Sequence, residues 1–130
     1  MNTLLASCPD KPNCVSSQAT RAEQAMPPLH FSGDHPQALE AVVTLLSSMP
    51  RVKLVERQAN SLHFTFTSLV LRFVDDVEFA IAPDTQLLHF RSASRLGYSD
   101  LGANRKRMTM LCEQLCQQGI FTLAPAPQTS

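Results

Sequence analysis

"LHFTFTSLVLRFVDDVEFAIA", residues 62–82, runs without a glycine or a proline. Fully extended it would reach roughly 69 Å at ~3.3 Å per residue, too long for one strand in a chain of this size. Its alternation shows where it must break. Leu62, Phe64 and Phe66 fall on even positions, whereas Leu69, Leu71, Phe73, Val77, Phe79 and Ile81 fall on odd ones. A change of phase near Thr67 and Ser68 predicts a bulge or tight turn there. "PDTQ" (83–86) supplies turn chemistry, and "LLHFRSAS" (87–94) reads as the returning strand. A four-residue loop sets Ile81 opposite Leu88, Phe79 opposite Phe90 and Glu78 opposite Arg91. Asp76 then lies diagonal to Arg91 and Arg95.

Outward from this hairpin, "RVKLVER" (51–57) alternates as a further strand and "QANS" (58–61) as a turn. In "HPQALEAVVTLLSSMP" (35–50), Leu39, Val42, Val43, Leu46 and Met49 form one helical stripe. Asp34 or His35 can cap it, Pro36 fits its first turn and Pro50 stops it. Met108, Leu111, Leu115 and the pair Cys112/Cys116 mark a second helix, with Gly119 placed to end it. The order helix, strands, helix predicts an α+β fold: a two-layer domain, an antiparallel sheet of about four strands with two helices packed on one face. Residues 1–28 read as an irregular N-terminal arm, 29–123 as a single domain and 124–130 as a loose tail.

With 130 residues, one domain is expected. Eleven basic and eleven acidic side chains cancel, which leaves no overall electrostatic footprint for nucleic acid or anionic lipid. No apolar run approaches the ~18 residues of a membrane span. "MNTLLASC" (1–8) is too short for a signal peptide, although "LASC" resembles the end of a bacterial lipoprotein signal that would acylate Cys8. The expectation is a cytoplasmic protein, or an exported one or a lipoprotein if further sequence precedes Met1.

The polar stretch "RSASRLGYSD" (91–100) gathers hydrogen-bonding groups in an otherwise apolar chain. It is the candidate ligand site, formed by Asp75, Asp76, Glu78, Arg91, Ser92, Ser94, Arg95, Tyr98, Asp100, Arg105 and Arg107. Two arrangements fit these residues. One is a structural ladder of cross-strand ion pairs, and the other an unneutralised fork of Arg91, Arg95, Arg105 and Arg107 that grips a carboxylate or phosphate. Asp75 interrupts the buried odd face opposite Ser94, so a buried partner is expected; Arg105, on or beside the helical stripe, is the one predicted.

His30, His35, His63 and His89 lack helical metal-site spacing, and no phosphate loop, dinucleotide fingerprint or G-x-S-x-G elbow occurs. No metal or cofactor is expected. Cys8 and Cys14 could close a disulfide in an oxidising setting and are expected as thiols in the cytosol. A site using all four cysteines departs from standard zinc spacings.

The motifs "CPDKPNCVSS" (8–17), "FVDDVEF" (73–79) and "RSASRLGYSDLGANRKR" (91–107) together resemble the domain-of-unknown-function family 1499 over roughly residues 8 to 115. On its pattern Cys8, Cys14, Ser16, Ser17, Asn104 and all eleven candidate residues hold signature positions. The resemblance implies no particular reaction, and many members look exported or membrane-attached. The leading expectation is a small non-enzymatic binding module holding an anion or a protein partner at residues 91–105. The alternatives are a hydrolase-like enzyme using Asp75 or Asp100 with a nearby serine, and a thiolate metal or redox module.

Overall fold

In the computed structural model, which describes residues 4–82 and 84–124, seven strands and two helices follow in the order β1 (Cys14–Ser16), β2 (Leu29–Phe31), α1 (His35–Ser47), β3 (Val52–Gln58), β4 (Ser61–Thr67), β5 (Val74–Ala82), β6 (Leu87–Ser94), α2 (Ala103–Gln117) and β7 (Phe121–Leu123). The α+β class is as expected, but the antiparallel sheet has seven strands among the described residues and not about four. Its order is β3-β4-β5-β6-β2-β7, with β1 also paired to β6. The free edge of β6 is shared: β2 pairs at Leu87 and Leu88, and β1 at Arg91, Ser92 and Ala93. The three additional strands are three residues each, too short to show a period of two.

The N-terminal stretch expected to be irregular is therefore bound into the sheet. β1 lies wholly buried on β6, and the Gln24 side chain, 4% exposed, donates to the carbonyls of Pro9 and Lys11. Cys8 and Cys14 are joined as a disulfide, the pairing expected for an oxidising setting. At the other end, Ala124 N–H donates to Pro28 O, and the rest of the expected tail, 125–130, lies outside the described residues.

Asp34 caps α1 by accepting from Gln37 N–H at 2.8 Å, and the helix ends before Pro50. The β5–β6 register is the one the alternation predicts: Asp75 opposite Ser94, Val77 opposite Ser92, Glu78 opposite Arg91, Phe79 opposite Phe90. The phase change resolves into a hairpin loop. β4 stops at Thr67 and β5 begins at Val74, so Leu69, Leu71 and Phe73, expected on the buried face, are exposed instead. Leu39, Val42 and Leu46 of α1 and Met108, Leu111 and Leu115 of α2 share one core with Phe64, Phe79 and Phe90 of the sheet. Burial of such side chains stabilises by about 1.5–3 kcal/mol each.

Candidate functional site

The odd face of β5 enters the core through Val77, Phe79 and Ile81 but ends at Asp75. A carboxylate there needs a partner, and Arg107 of α2 supplies it: Nη2 donates to Asp75 Oδ2 at 2.7 Å, with the two side chains 13% and 17% exposed. The predicted partner, Arg105, points elsewhere. Its guanidinium donates to the carbonyls of Glu23 and Ala25 and clips the N-terminal segment to α2. The helix stripe is centred on Asn104, Met108, Leu111 and Leu115, which puts Arg107 on the sheet side and Arg105 beyond the Cys112 flank.

Asn104, fully buried, is the hub that the candidate set omitted. Its Oδ1 accepts from Ser92 Oγ at 2.6 Å and from Arg107 Nη1 at 2.8 Å. Its Nδ2 donates to Asp100 Oδ2 at 2.6 Å, Ser94 Oγ at 2.9 Å and Asn13 O at 3.1 Å. The available signal was its place four residues before Met108, a polar group on an apolar stripe. Asp100 caps α2, accepting from the N–H groups of Gly102 and Asn104. Burial alone would raise its pKa, but these bonds together with the Asn104 side chain outweigh it and hold the carboxyl below the ordinary range. Asn13 Nδ2 donates to Gly97 O and ties the corner to β1.

On the opposite face of the sheet, the cross-strand ion pairs form as the register requires. Arg91 meets Glu78 at 3.3 Å, and Arg95 grips both oxygens of Asp76 at 2.9 Å. His63 Nε2 lies 2.8 Å from Asp76 as well. The Arg95 hydrogen bond, opposed by burial and reinforced by His63, lowers the Asp76 pKa. Each arginine of the expected fork is thus already bound to an acceptor, and the four are spread over two faces. Tyr98 stands apart, 67% exposed.

Ser17 Oγ lies 3.0 Å from His89 Nδ1 and accepts Phe90 N–H, and burial pushes the His89 pKa down. Burial also raises the Cys112 thiol to about 12. Cys8 and Cys14 hold each other, so the four cysteines do not assemble a thiolate site. Among the described residues no group of three or more His, Cys, Asp and Glu side chains could hold a metal ion, and no helix is long and apolar enough to cross a membrane.

The buried network borders a cleft of about 840 Å³ at the end of the sheet where Asp75 sits. Asp75, Ser94, Asp100 and Arg107 form its polar wall, and Val52, Phe66, Phe73, Leu96, Leu101 and Met110 line much of the remainder. Arg107 also stacks on Phe66, 4.9 Å from the ring centre. Two further cations line the cleft, Arg51 and Lys106, and neither side chain has an ion-pair partner among the described residues.

No curated protein matches the chain. A family model described as a protein of unknown function matches residues 4–115, a span that contains the disulfide, the cross-strand ion pairs and the Asn104 network. The chain therefore belongs to the protein-of-unknown-function family DUF1499.

Proposed function

We propose that this protein is a non-enzymatic binding module whose ligand, an anion with an apolar portion, occupies the cleft beside the polar corner. The observation that carries the reading is the pairing of apolar walls with two unneutralised cations, Arg51 and Lys106, in a space of about 840 Å³. Ligand sites of this kind are largely apolar with a few placed polar groups, typically roughly 300–1,000 Å³. The carboxylates expected to serve a hydrolase are engaged structurally. Asp100 is taken up by helix capping and by Asn104, and Asp75 by Arg107. The polar corner supports the site from behind and does not itself grip the anion. It fixes α2, and with it Lys106, against the end of the sheet.

Calorimetric titration with acetate, inorganic phosphate, dodecanoate and dodecyl phosphate tests this, each kept below its micelle-forming concentration. Both long-chain anions should bind and both short ones should not. Lys106→Gln and Arg51→Gln should each weaken binding by about tenfold, the loss of one charge-assisted contact. Absence of binding by the long-chain anions would contradict the reading. So would turnover of an ester substrate that is lost in Ser17→Ala, which would move the function to the Ser17–His89 contact and make the protein a hydrolase.

A further inference from the structure

Among the described residues, ten large hydrophobic side chains are exposed, and seven of them sit in two loops at the same end of the sheet. The first loop is the β4–β5 turn. Ser68 closes it, donating its N–H to Phe73 O and accepting Phe73 N–H on Oγ, both at 2.9 Å. The hydrogen-bonded pair leaves Leu69, Val70, Leu71 and Arg72 as the tip, with the three apolar residues 65%, 83% and 67% exposed. The second loop follows β6 and carries Leu96, Tyr98 and Leu101, at 75%, 67% and 88% exposed. The β5–β6 pairing of Asp75 with Ser94 and the β4–β5 pairing of Thr67 with Val74 put both loops at one edge of the molecule. The cleft runs between them.

We infer that this end of the molecule docks onto the surface of an anionic phospholipid bilayer, with the Leu69–Leu71 tip and the Leu96–Leu101 loop entering the interfacial layer. Exposed apolar patches of this extent mark interaction sites. Charge then decides between partners. Arg51, Arg72, Arg95, Lys106 and Arg107 against Asp75, Asp76 and Asp100 leave an excess of two positive charges here, on a chain that is neutral as a whole. The three carboxylates are bound internally, whereas Arg51, Arg72 and Lys106 have no ion-pair partner among the described residues. Apolar tips flanked by free basic side chains and a tyrosine match the interface of an anionic leaflet. A fluid interface also accepts protruding tips without a shaped receptor. The inference goes beyond the cleft reading and does not need the cleft to be filled.

Co-sedimentation of the full chain with phosphatidylcholine vesicles, with and without phosphatidylglycerol, is the test. Binding should require phosphatidylglycerol and fall as salt rises. Val70→Asp and Leu71→Ser should each weaken it by roughly tenfold or more, because each removes several buried methyl or methylene groups. Val55→Asp, at an exposed position on β3, should leave it unchanged. Absence of vesicle binding would overturn the inference. So would equal binding by Leu71→Ser and wild type, or a concentration-dependent dimer that Leu71→Ser abolishes, which would make a second copy of the chain the occupant. The calorimetric titration contains no vesicles, so binding of dodecanoate without binding of vesicles retains the cleft reading and removes this one.

Discussion

Arg107 reaches from the first turns of α2 to Asp75 at the end of the buried face of β5, closing a 2.7 Å ion pair between two largely buried side chains. Both side chains are largely buried, so removing either one leaves the other's charge without its counter-ion. Asp75→Asn and Arg107→Met should each cost about 3–5 kcal/mol in denaturant unfolding, and the double variant much less than their sum. Arg105→Met breaks hydrogen bonds to two carbonyls and should cost only about 1 kcal/mol. Equal costs for Arg105→Met and Arg107→Met would show that the pair does not hold the helix.

Asn104→Leu keeps the branching and the number of heavy atoms but removes every side-chain hydrogen bond of the hub. It leaves the Ser92 hydroxyl hydrogen without its acceptor, leaves Arg107 Nη1 only Ser92 Oγ at 3.1 Å, and removes the Asn104 amide from Asp100 Oδ2; a buried group left unsatisfied costs about 1–3 kcal/mol. The expected result is a loss of at least that size in unfolding free energy, together with hydrogen-exchange protection lost first at the start of α2. Unchanged protection of the amides of residues 104–107 would count against a structural role for the network.

Acid should act in two stages. Burial lowers the His89 pKa from its ordinary 6.5, so the unfolded chain takes up that proton first; stability present above pH 6.5 is lost as pH falls through the depressed folded value. Asp76 and Asp100 are also lowered, from 3.8, so their contribution is intact above that value and is lost as pH drops further. Denaturant midpoints from pH 8 to pH 2 for wild type, His89→Gln and Asp100→Asn check this. His89→Gln should flatten the upper stage alone, and Asp100→Asn should reduce the lower stage alone.

The four cysteines should divide into two chemical classes. Reducing Cys8–Cys14 should cost about 2 kcal/mol by the loop-entropy argument for so short a loop. Cys112, raised to about 12 by burial and by the neighbouring Cys116 and Glu113, should resist alkylation in the folded protein at pH 8. Mass spectrometry after mild alkylation, with and without reductant, reads both. Rapid labelling of Cys112 without reductant would mean that the helix flank opens.

The β5–β6 register was legible because apolar alternation on both strands leaves one arrangement that buries Phe79, Ile81, Leu88 and Phe90 together. The same pattern gave the ion pair of Glu78 with Arg91 and the need for a buried partner at Asp75. β1, β2 and β7 were not legible, since three residues carry no measurable period and what places them is pairing to distant strands. Helical spacing alone points to Arg105 because it defines a stripe but not its centre, which Asn104 and its partners set. Leu69 and Leu71 continued the odd alternation of β5 and so resembled core residues, although the chain had already left the sheet at Thr67. The cleft was out of reach for a related reason: Arg51 and Leu101 in two loops, Phe66 on β4 and Lys106 on α2 meet only once the chain is folded.

The claim that the cleft is a binding site is tested most directly by amide resonance mapping of the full chain during titration with dodecanoate. The account predicts saturable shifts concentrated at residues 49–52, 66–68, 96–101 and at Lys106, all of them lost in Lys106→Glu. Shifts centred instead on Met26, Cys112 and Cys116, which line a separate cavity, or no saturable shifts at all, would contradict it.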